Sequence, residues 1–408
     1  RLSTIFKGGG KYCFGRRYLY ASKQDIGPSI KIPKRARDLS YGINVIASFR
    51  YAVGLSEAAK NNYTAMLSTQ VPVVAIDAPF VLNCNLTSEE DAISVQTALK
   101  HSINLFHLNA PEMNSIHTNW PQVFKGHYYN IGYWFFELEV IPDSWVSGLN
   151  GLNEIWVANE FVRNAVQAKS DIPVHIIPIA LDLPKVEHVS RGEFDLPEEK
   201  VCVLSVFDLN SSGARKNPEA AVAAFKMANI ESGNLHLVLK VNNADKNRAH
   251  LGRLNDLLND LDSYTLITDL LPRDKLTRLQ ACCDIFISLH RSEGLGLNLL
   301  ECMSLGKPVV ATAWSANVDY MTESNSCRID FTLVEVEETF GPYQKGQIWA
   351  DPRIEHAAEA LVMLAQDESK RSEIGKAARE SVERLYSKTR VGGLIEERYS
   401  QILNQSVS

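Results

Sequence analysis

The stretch from Asp284 to Thr312 constrains the fold of this chain more than any other part of the sequence. It opens with a short apolar, β-branched run over residues 285–289, which predicts a buried strand. A loop with two glycines and the acid Glu293 follows, and a short helical pattern then leads to a second apolar run over residues 309–312. A strand, a loop, a helix and a strand in this order predict a parallel sheet. Ligands of such sheets bind outside the carboxyl ends of the strands, so the loop that carries Glu293 is a candidate binding site.

The short helix in this stretch has recognisable start and stop signals. Asn298 is a favourable N-cap residue, and Glu301 stands three positions later, which is the spacing of a capping box. Gly306 and Pro308 predict the end of the helix. On spacing alone, Glu301 is either a capping residue or a ligand contact, and Glu293 is either a solvated loop acid or an acceptor of hydrogen bonds from ligand hydroxyls. The loop amides of residues 294–297, at a helix N-terminus, would suit a phosphate.

The rest of the chain alternates strand and helix patterns and predicts an α/β protein. A length of 408 residues, with 45% hydrophobic and 22% charged residues, is typical of a globular chain of two to three domains. We predict one Rossmann-like domain over residues 41–185 and a second over residues 186–389, joined by a charged, proline-containing linker that extends to about residue 200. An amphipathic helix over residues 390–408 is expected to pack back on the first domain.

Residues 1–40 form a basic segment, with ten Lys or Arg residues against two Asp residues. Such a segment is either a solvated extension or a contact to an anionic membrane surface. No aromatic-rich nucleic-acid motif accompanies it, so we expect no nucleic-acid partner. Because the first residue is Arg, we expect the chain to be a piece of a longer protein.

The cysteines and the hydropathy pattern bear on localisation. Most of the seven cysteines stand in apolar runs, which is typical of reduced thiols packed in a core. No apolar run approaches the roughly 18 residues that span a bilayer. We therefore expect a cytoplasmic protein, either free or at the inner face of the membrane.

Three other positions are candidates for ligand contact. Arg215 and Lys216 stand between a predicted strand and a helix start at Asn217-Pro218-Glu219, where two cations beside a helix dipole would bind a diphosphate. Gly54 follows the first strand, where a glycine lets the backbone approach a ligand closely. His107 ends another strand. Each also has a purely structural interpretation. Arg215 and Lys216 could be a surface pair of cations, Gly54 part of a simple turn, and His107 a histidine of the core.

The residues from Ser292 to Thr312 read SEGLGLNLLECMSLGKPVVAT. This stretch resembles the E-x7-E signature of the retaining family-four glycosyltransferases of the GT-B fold, which have two Rossmann-like domains facing each other across a cleft. The resemblance implies that Glu293 contacts the donor sugar and that the backbone amides of four residues hold the diphosphate: Gly294, Leu295, Gly296 and Leu297. It also implies that Glu301 binds the ribose hydroxyls.

The resemblance extends to positions outside this stretch. Lys216 matches a lysine of the family, whereas the family's arginine five positions earlier is Ser211 here, with Arg215 as its replacement. Gly54 corresponds to a glycine-containing loop at the donor phosphate or acceptor, and His107 to a contact with the transferred sugar. Gly132-Tyr133-Trp134 with Glu137 resembles a pattern in bacterial polysaccharide glycosyltransferases, where the aromatic rings either stack on sugars or fill the core.

The resemblance implies a retaining transfer of a sugar from a GDP- or UDP-linked donor to a glycan or lipid-linked glycan. The departing diphosphate would take the acceptor proton, while Arg215, Lys216 and the loop amides stabilise its charge. Neither a metal nor a cofactor is expected. Two alternatives stay open: a catalytically silent protein that binds sugar nucleotides as a scaffold, and a sugar-nucleotide epimerase on the same fold.

Overall fold

The computed structural model describes residues 31–33, 38–51, 53–80, 86, 92–125, 127–182, 186, 189–211, 213–244 and 248–405. Most of the basic segment 1–40 and part of the expected linker lie outside the described residues. Two six-stranded sheets form the framework of the protein. Their strands lie on either side of residue 185, where we place the domain boundary.

The first sheet is parallel, with the strand order β2-β1-β3-β4-β5-β6. The inner strands of this sheet are mostly apolar and buried, as expected for strands that are covered on both faces, whereas the two edge strands are partly half-buried. Their bounds are β1 Ser40–Ala47, β2 Val73–Asp77, β3 His101–Phe106, β4 Tyr129–Trp134, β5 Glu154–Val157 and β6 Val174–Ile176. The helices between them are α1 Gly54–Met66, α2 Ala110–Asn119, α3 Asp143–Val146 and α4 Glu160–Gln167, with 3-10 turns at Pro121–Phe124 and Ser147–Leu149.

The second sheet is also parallel, with the strand order β12-β11-β10-β7-β8-β9. Its strands are β7 Val201–Asp208, β8 Leu235–Asn242, β9 Tyr264–Ile267, β10 Ile285–Ser288, β11 Val309–Thr312 and β12 Cys327–Ile329. The helices in this part are α5 Gly213–Lys216, α6 Pro218–Ser232, α7 Arg248–Leu258, α8 Arg273–Cys282 and α9 Leu297–Ser304, with 3-10 turns at Arg191–Phe194, Leu209–Ser211 and Ala316–Asp319.

An antiparallel hairpin follows the second sheet and joins the two halves. Its strands are β13 Phe331–Glu335 and β14 Ile348–Pro352. Apolar residues of the hairpin, among them Val336, Tyr343 and Trp349, pack in one cluster with Phe136 and Trp145 of the first half. No pattern noted in the sequence predicts this hairpin.

Three helices close the chain: α10 Ile354–Gln366, α11 Glu368–Tyr386 and α12 Lys388–Gln405. Helix α12 returns to the first half, where a Cβ added at Gly392 would lie 2.9 Å from the carbonyl oxygen of Ala65 in α1. Arg398 of α12 also forms a buried ion pair with Glu154 of β5 at 2.5 Å.

The capping box predicted for α9 is wrong, and the residue before α6 occupies the N-cap position without a capping hydrogen bond. Helix α9 begins at Leu297, and its N-cap is Gly296 in the left-handed conformation, so neither Asn298 nor Glu301 forms a capping box. Helix α6 does begin at Pro218, but Asn217 makes no side-chain cap. Its side chain donates instead to the carbonyl oxygen of Leu289 at 3.0 Å, because the tertiary structure brings the end of β10 next to it.

Candidate functional site

Glu293 lies in the loop that follows β10, at the carboxyl end of the second sheet. Its amide donates to Oγ of Ser315 at 2.8 Å, and its carbonyl oxygen accepts from the amide of Ala316 at 3.2 Å. Both partners come from the loop after the neighbouring strand β11. The backbone of Glu293 is therefore fixed between two adjacent strand ends, and the side chain is 6% exposed.

The two predicted cations reach this acid from a different strand end. Nζ of Lys216 lies 2.5 Å from Oε1 of Glu293, and a guanidinium nitrogen of Arg215 lies 3.4 Å from Oε2. Burial alone would raise the pKa of Glu293, but the charges of Lys216 and Arg215 outweigh it and hold the pKa at about 2. The acid is therefore a carboxylate at any physiological pH.

Arg215 is a buried residue rather than a member of a surface pair, because its side chain is enclosed by both halves of the protein. It donates to the carbonyl oxygen of Ser292 at 2.7 Å and to that of Ser211 at 3.3 Å. Oε1 of Glu137, from the first half, lies 3.9 Å from its guanidinium. Burial disfavours the charged guanidinium, but the side chains of Tyr343, Glu293 and Glu137 outweigh it and raise the pKa of Arg215, so it stays charged.

The loop amides stand beside these charges at the start of α9. Gly296 has a φ of +80°, and an added Cβ would lie 2.7 Å from the hydroxyl of Tyr320. That hydroxyl donates to the carbonyl oxygen of Leu295 at 2.7 Å, which turns the carbonyl away from the helix N-terminus. Within the described residues, the amides of residues 294–297 donate no hydrogen bond. Amides of this kind at a helix N-terminus can bind an anion.

The first half closes over the same loop. Nδ2 of Asn159 donates to the carbonyl oxygen of Gly294 at 2.7 Å, and Oγ of Ser292 donates to the carbonyl oxygen of Glu137. A Cβ added at Gly294 would lie 3.0 Å from the carbonyl oxygen of Phe136. The site is thus assembled from both halves, with the loop of the second pressed on strand ends of the first.

Glu301 is neither a cap nor a solvated acid. It is 5% exposed, lies 2.7 Å from the guanidinium of Arg273, and accepts from Nε2 of Gln280 at 2.9 Å. Both partners belong to α8, so the helix before β10 fixes this carboxylate.

His107 and Gly54 do not join the charged cluster by any described contact. Strand β3 ends one residue before His107, whose ring is fully buried and stacks on Tyr133 at 4.2 Å between ring centroids. Burial lowers the pKa of His107 to about 3, and neither ring nitrogen has a hydrogen-bond partner among the described residues. Gly54 is the first residue of α1 rather than a loop residue, and an added Cβ there meets no atom within 4 Å.

Two contributors to the site have no local signal in the sequence that points to this role. Asn159 is the N-cap of α4, and its side chain also donates to the carbonyl oxygen of Gly294, which links the two halves. Tyr343 had no signal at all, because it reaches the cluster from the turn of the β13–β14 hairpin. Its ring lies beside the guanidinium of Arg215 only because the tertiary structure brings the two segments together.

Acidic residues elsewhere do not suggest a metal at this site. No group of three or more His, Cys, Asp or Glu side chains could hold a metal ion in the part of the chain that the structure describes. The sequence contains one Asp-x-Asp triplet, Asp260-Leu261-Asp262, but both aspartates are exposed and they precede β9. They therefore lie at the amino edge of the sheet, opposite the loop with Glu293.

No described helix is both long and apolar enough to cross a membrane.

Part of the sequence is similar to known glycosyltransferases. Residues 206–339, which contain Arg215, Lys216, Glu293 and Glu301, match the family model described as glycosyl transferases group 1. Over 135 residues the chain is 31% identical to the sulfoquinovosyl transferase SQD2 of Arabidopsis thaliana. That likeness covers 33% of this chain and 23% of the relative's length.

Solved structures extend the likeness to the fold of both halves. Sucrose-phosphate synthase from Thermosynechococcus elongatus aligns over 90% of this chain and 100% of its own, with a TM-score of 0.66 and 15% identity. HepE of Anabaena, solved with UDP-glucose, aligns over 89% of this chain and 100% of its own, with a TM-score of 0.65 and 12% identity. This chain therefore has the two-domain α/β architecture of the GT-B fold, as its sequence predicts.

Proposed function

We propose that this protein is a retaining glycosyltransferase of family four, which moves a sugar from a nucleotide-diphosphate sugar to a glycan or lipid-linked glycan. One observation carries the proposal. Two cations, a carboxylate and the loop amides at the start of α9 lie at the carboxyl edge of the second sheet, within the segment that is similar to group 1 glycosyl transferases. A sugar diphosphate needs this combination, because its phosphates require positive charge and its sugar hydroxyls require acceptors.

The roles follow from the chemistry of each group. Lys216 and Arg215 neutralise the diphosphate, and the amides of residues 294–297 donate to its oxygens. Glu293 accepts hydrogen bonds from the sugar hydroxyls, because it is ionised and fixed at its backbone. Glu301, held by α8, accepts from the ribose hydroxyls.

Departure of the diphosphate completes the reaction. The bond from the anomeric carbon to the phosphate oxygen breaks, and the acceptor oxygen bonds to that carbon on the same face. The proton of the acceptor hydroxyl passes to the leaving phosphate, whose charge the two cations stabilise. In this scheme positive side chains and amides take the place of a metal, and no cofactor takes part.

The donor and acceptor are proposed at the level of their chemistry. UDP-linked sugars are the first candidates, since solved structures with this fold contain UDP and UDP-glucose, and GDP-linked sugars are the second. The acceptor is placed at the first half, where we assign His107 to the transferred sugar and Gly54 to the donor phosphate or acceptor. We place the protein in the cytoplasm or at the inner face of the membrane, where a basic segment favours anionic lipid.

The decisive experiment measures transfer and donor binding together. A panel of UDP- and GDP-sugars is screened by thermal shift, and transfer is then followed with the stabilising donor. Glu293→Ala and Lys216→Ala are expected to abolish transfer without unfolding the protein. Lys226→Ala is the matched control, because Lys226 lies on α6 with only a 3.8 Å contact to the exposed Asp260. Normal transfer by either site variant contradicts the proposal.

The same assay separates the two alternatives. Binding of a sugar nucleotide with no transfer over long incubation would identify a catalytically silent protein. Conversion of the donor in the absence of any acceptor would identify an epimerase.

A further inference from the structure

The β13–β14 hairpin is connected to the two cations through the backbone. The amide of Ala350 in β14 donates to the carbonyl oxygen of Arg291 at 2.9 Å, and the amide of Arg291 donates to that of Arg215 at 2.8 Å. The side chain of Arg291 also pairs with Asp351 at 2.9 Å and donates to the carbonyl oxygen of Ala214 at 2.8 Å. Arg291 therefore connects strand β14 of the hairpin to the short helix α5.

The turn of the hairpin reaches the same arginine from the other side. The ring of Tyr343 lies 5.8 Å from the guanidinium carbon of Arg215, and its hydroxyl donates to Oε2 of Glu137 at 3.0 Å. The other carboxylate oxygen of Glu137 faces Arg215 at 3.9 Å. Arg215 is thus enclosed by Glu293 from its own half, by Glu137 from the opposite half, and by a ring from the hairpin.

We propose that Glu137 and Tyr343 are positioning residues that hold Arg215 in place for the donor diphosphate. This inference rests on the proposed function. A guanidinium with a single carboxylate neighbour is drawn towards that carboxylate, and here Glu293 is already shared with Lys216. A second carboxylate on the opposite side balances the attraction, and the hydrogen bond from Tyr343 fixes the direction of that carboxylate.

The polar pair is not required to dock the hairpin. Apolar contacts of Val336 and Trp349 with Phe136 and Trp145 already bury the hairpin against the first half. The hydroxyl of Tyr343 and the carboxylate of Glu137 add an ionic and directional contact to this apolar one. Their removal is expected to alter the position of Arg215 rather than the fold.

The experiment is a titration of the whole chain with UDP, and in parallel with GDP, followed by calorimetry. Glu137→Gln removes the charge, and Tyr343→Phe removes the hydroxyl but keeps the ring beside Arg215. Each is expected to weaken nucleotide binding about threefold to tenfold. The double variant is expected to lose little more than the worse single variant, because both act through one guanidinium.

The matched control is Gln347→Ala. Gln347 is another residue of the hairpin that contacts the first half, by donating to the carbonyl oxygen of Val140 at 3.0 Å, and its described hydrogen bonds do not involve Arg215. It is expected to bind nucleotide like the wild type. An equal loss of nucleotide affinity in Gln347→Ala would show that the effect comes from weaker docking of the hairpin, and it would overturn the inference.

The remaining outcomes separate this inference from the proposed function. A wild type that binds UDP or GDP, with unchanged affinity in Glu137→Gln and Tyr343→Phe, overturns the positioning role and leaves the proposed function intact. A wild type that binds neither nucleotide overturns the proposed function and, with it, the role of the two positioning residues.

Discussion

Lys216 and Glu293 stand 77 residues apart in the chain, yet Nζ of the lysine lies 2.5 Å from the carboxylate of the acid. In the proposed function, Lys216 binds the diphosphate of the donor and Glu293 binds its sugar. In the structure described here, these two side chains form an ion pair with each other. Donor binding therefore exchanges one charged partner for another. It does not have to create charges in a buried site, which would cost several kcal/mol for each ion.

The first prediction concerns the stability of this ion pair in acid. Because the pKa of Glu293 is about 2 in the folded protein, against an ordinary value of 4.5, its charge stabilises the fold above pH 4.5. That contribution is lost as the pH falls from 4.5 towards 2. The free energy of unfolding should fall by roughly 2–3 kcal/mol more in the wild type than in Glu293→Gln over this range.

Urea unfolding of the wild type and of Glu293→Gln between pH 3 and pH 7 tests this prediction, because it covers the upper part of the interval in which the stabilisation is lost. The two stability curves should run parallel above pH 5 and approach one another below it. Parallel curves throughout would contradict the depressed pKa.

The second prediction concerns the closure of the first half over the donor loop. In Gly294→Ala the new methyl would press on the carbonyl oxygen of Phe136 at 3.0 Å, so the backbone of one half must give by a few tenths of an ångström. We expect a loss of stability of about 1–3 kcal/mol and a matching loss of nucleotide affinity, measured by thermal unfolding and calorimetry.

Gly252→Ala is the control for this substitution. Gly252 lies inside α7, where an added Cβ meets no atom within 4 Å. Alanine there should raise stability by about 0.5–1 kcal/mol, because glycine is unfavourable in a helix interior. A Gly294→Ala protein as stable and active as Gly252→Ala would show that the halves do not close as described.

The third prediction concerns the ion pair that holds α12 on the first half. Glu154 is fully buried, and it accepts hydrogen bonds from Arg398, Tyr129 and Trp156. Arg398→Met leaves this carboxylate without its cation and should cost about 3–5 kcal/mol of unfolding free energy. Arg379→Ala, which breaks an exposed pair with Glu383, should cost less than about 0.5 kcal/mol. Equal costs for the two variants would contradict the buried placement of α12.

The fourth prediction concerns Glu112 in the first turn of α2. Burial raises its pKa to about 7, and one carboxylate oxygen has no partner among the described residues. Since the folded protein holds this proton more tightly than the unfolded chain, stability should fall as the pH rises from 4.5 to 7. Glu112→Gln should remove that part of the pH dependence, about 2–3 kcal/mol at most. An identical pH profile for wild type and variant would refute the raised pKa.

Several features of this protein are determined by short-range patterns in the sequence. The strands β10 and β11 and the loop between them follow from apolar runs bounded by glycine, and Pro218 sets the start of α6. The candidates Arg215, Lys216, Glu293 and Glu301 follow from their spacing relative to strand ends and from the family resemblance. Such patterns are readable because strand ends and glycine turns are local properties of the backbone.

Other features depend on contacts between distant segments, and here local reasoning failed. Glu301 has the spacing of a capping residue, but Arg273 and Gln280 bind its side chain, while Gly296 occupies the cap position. The sequence leaves open whether Arg215 is half of a surface pair, whereas the structure buries it among Glu293, Glu137 and Tyr343. The sequence by itself determined two parallel sheets and the loop that carries the candidate site. Only the tertiary structure decided which charges meet there, because burial and pairing arise from segments tens to hundreds of residues apart.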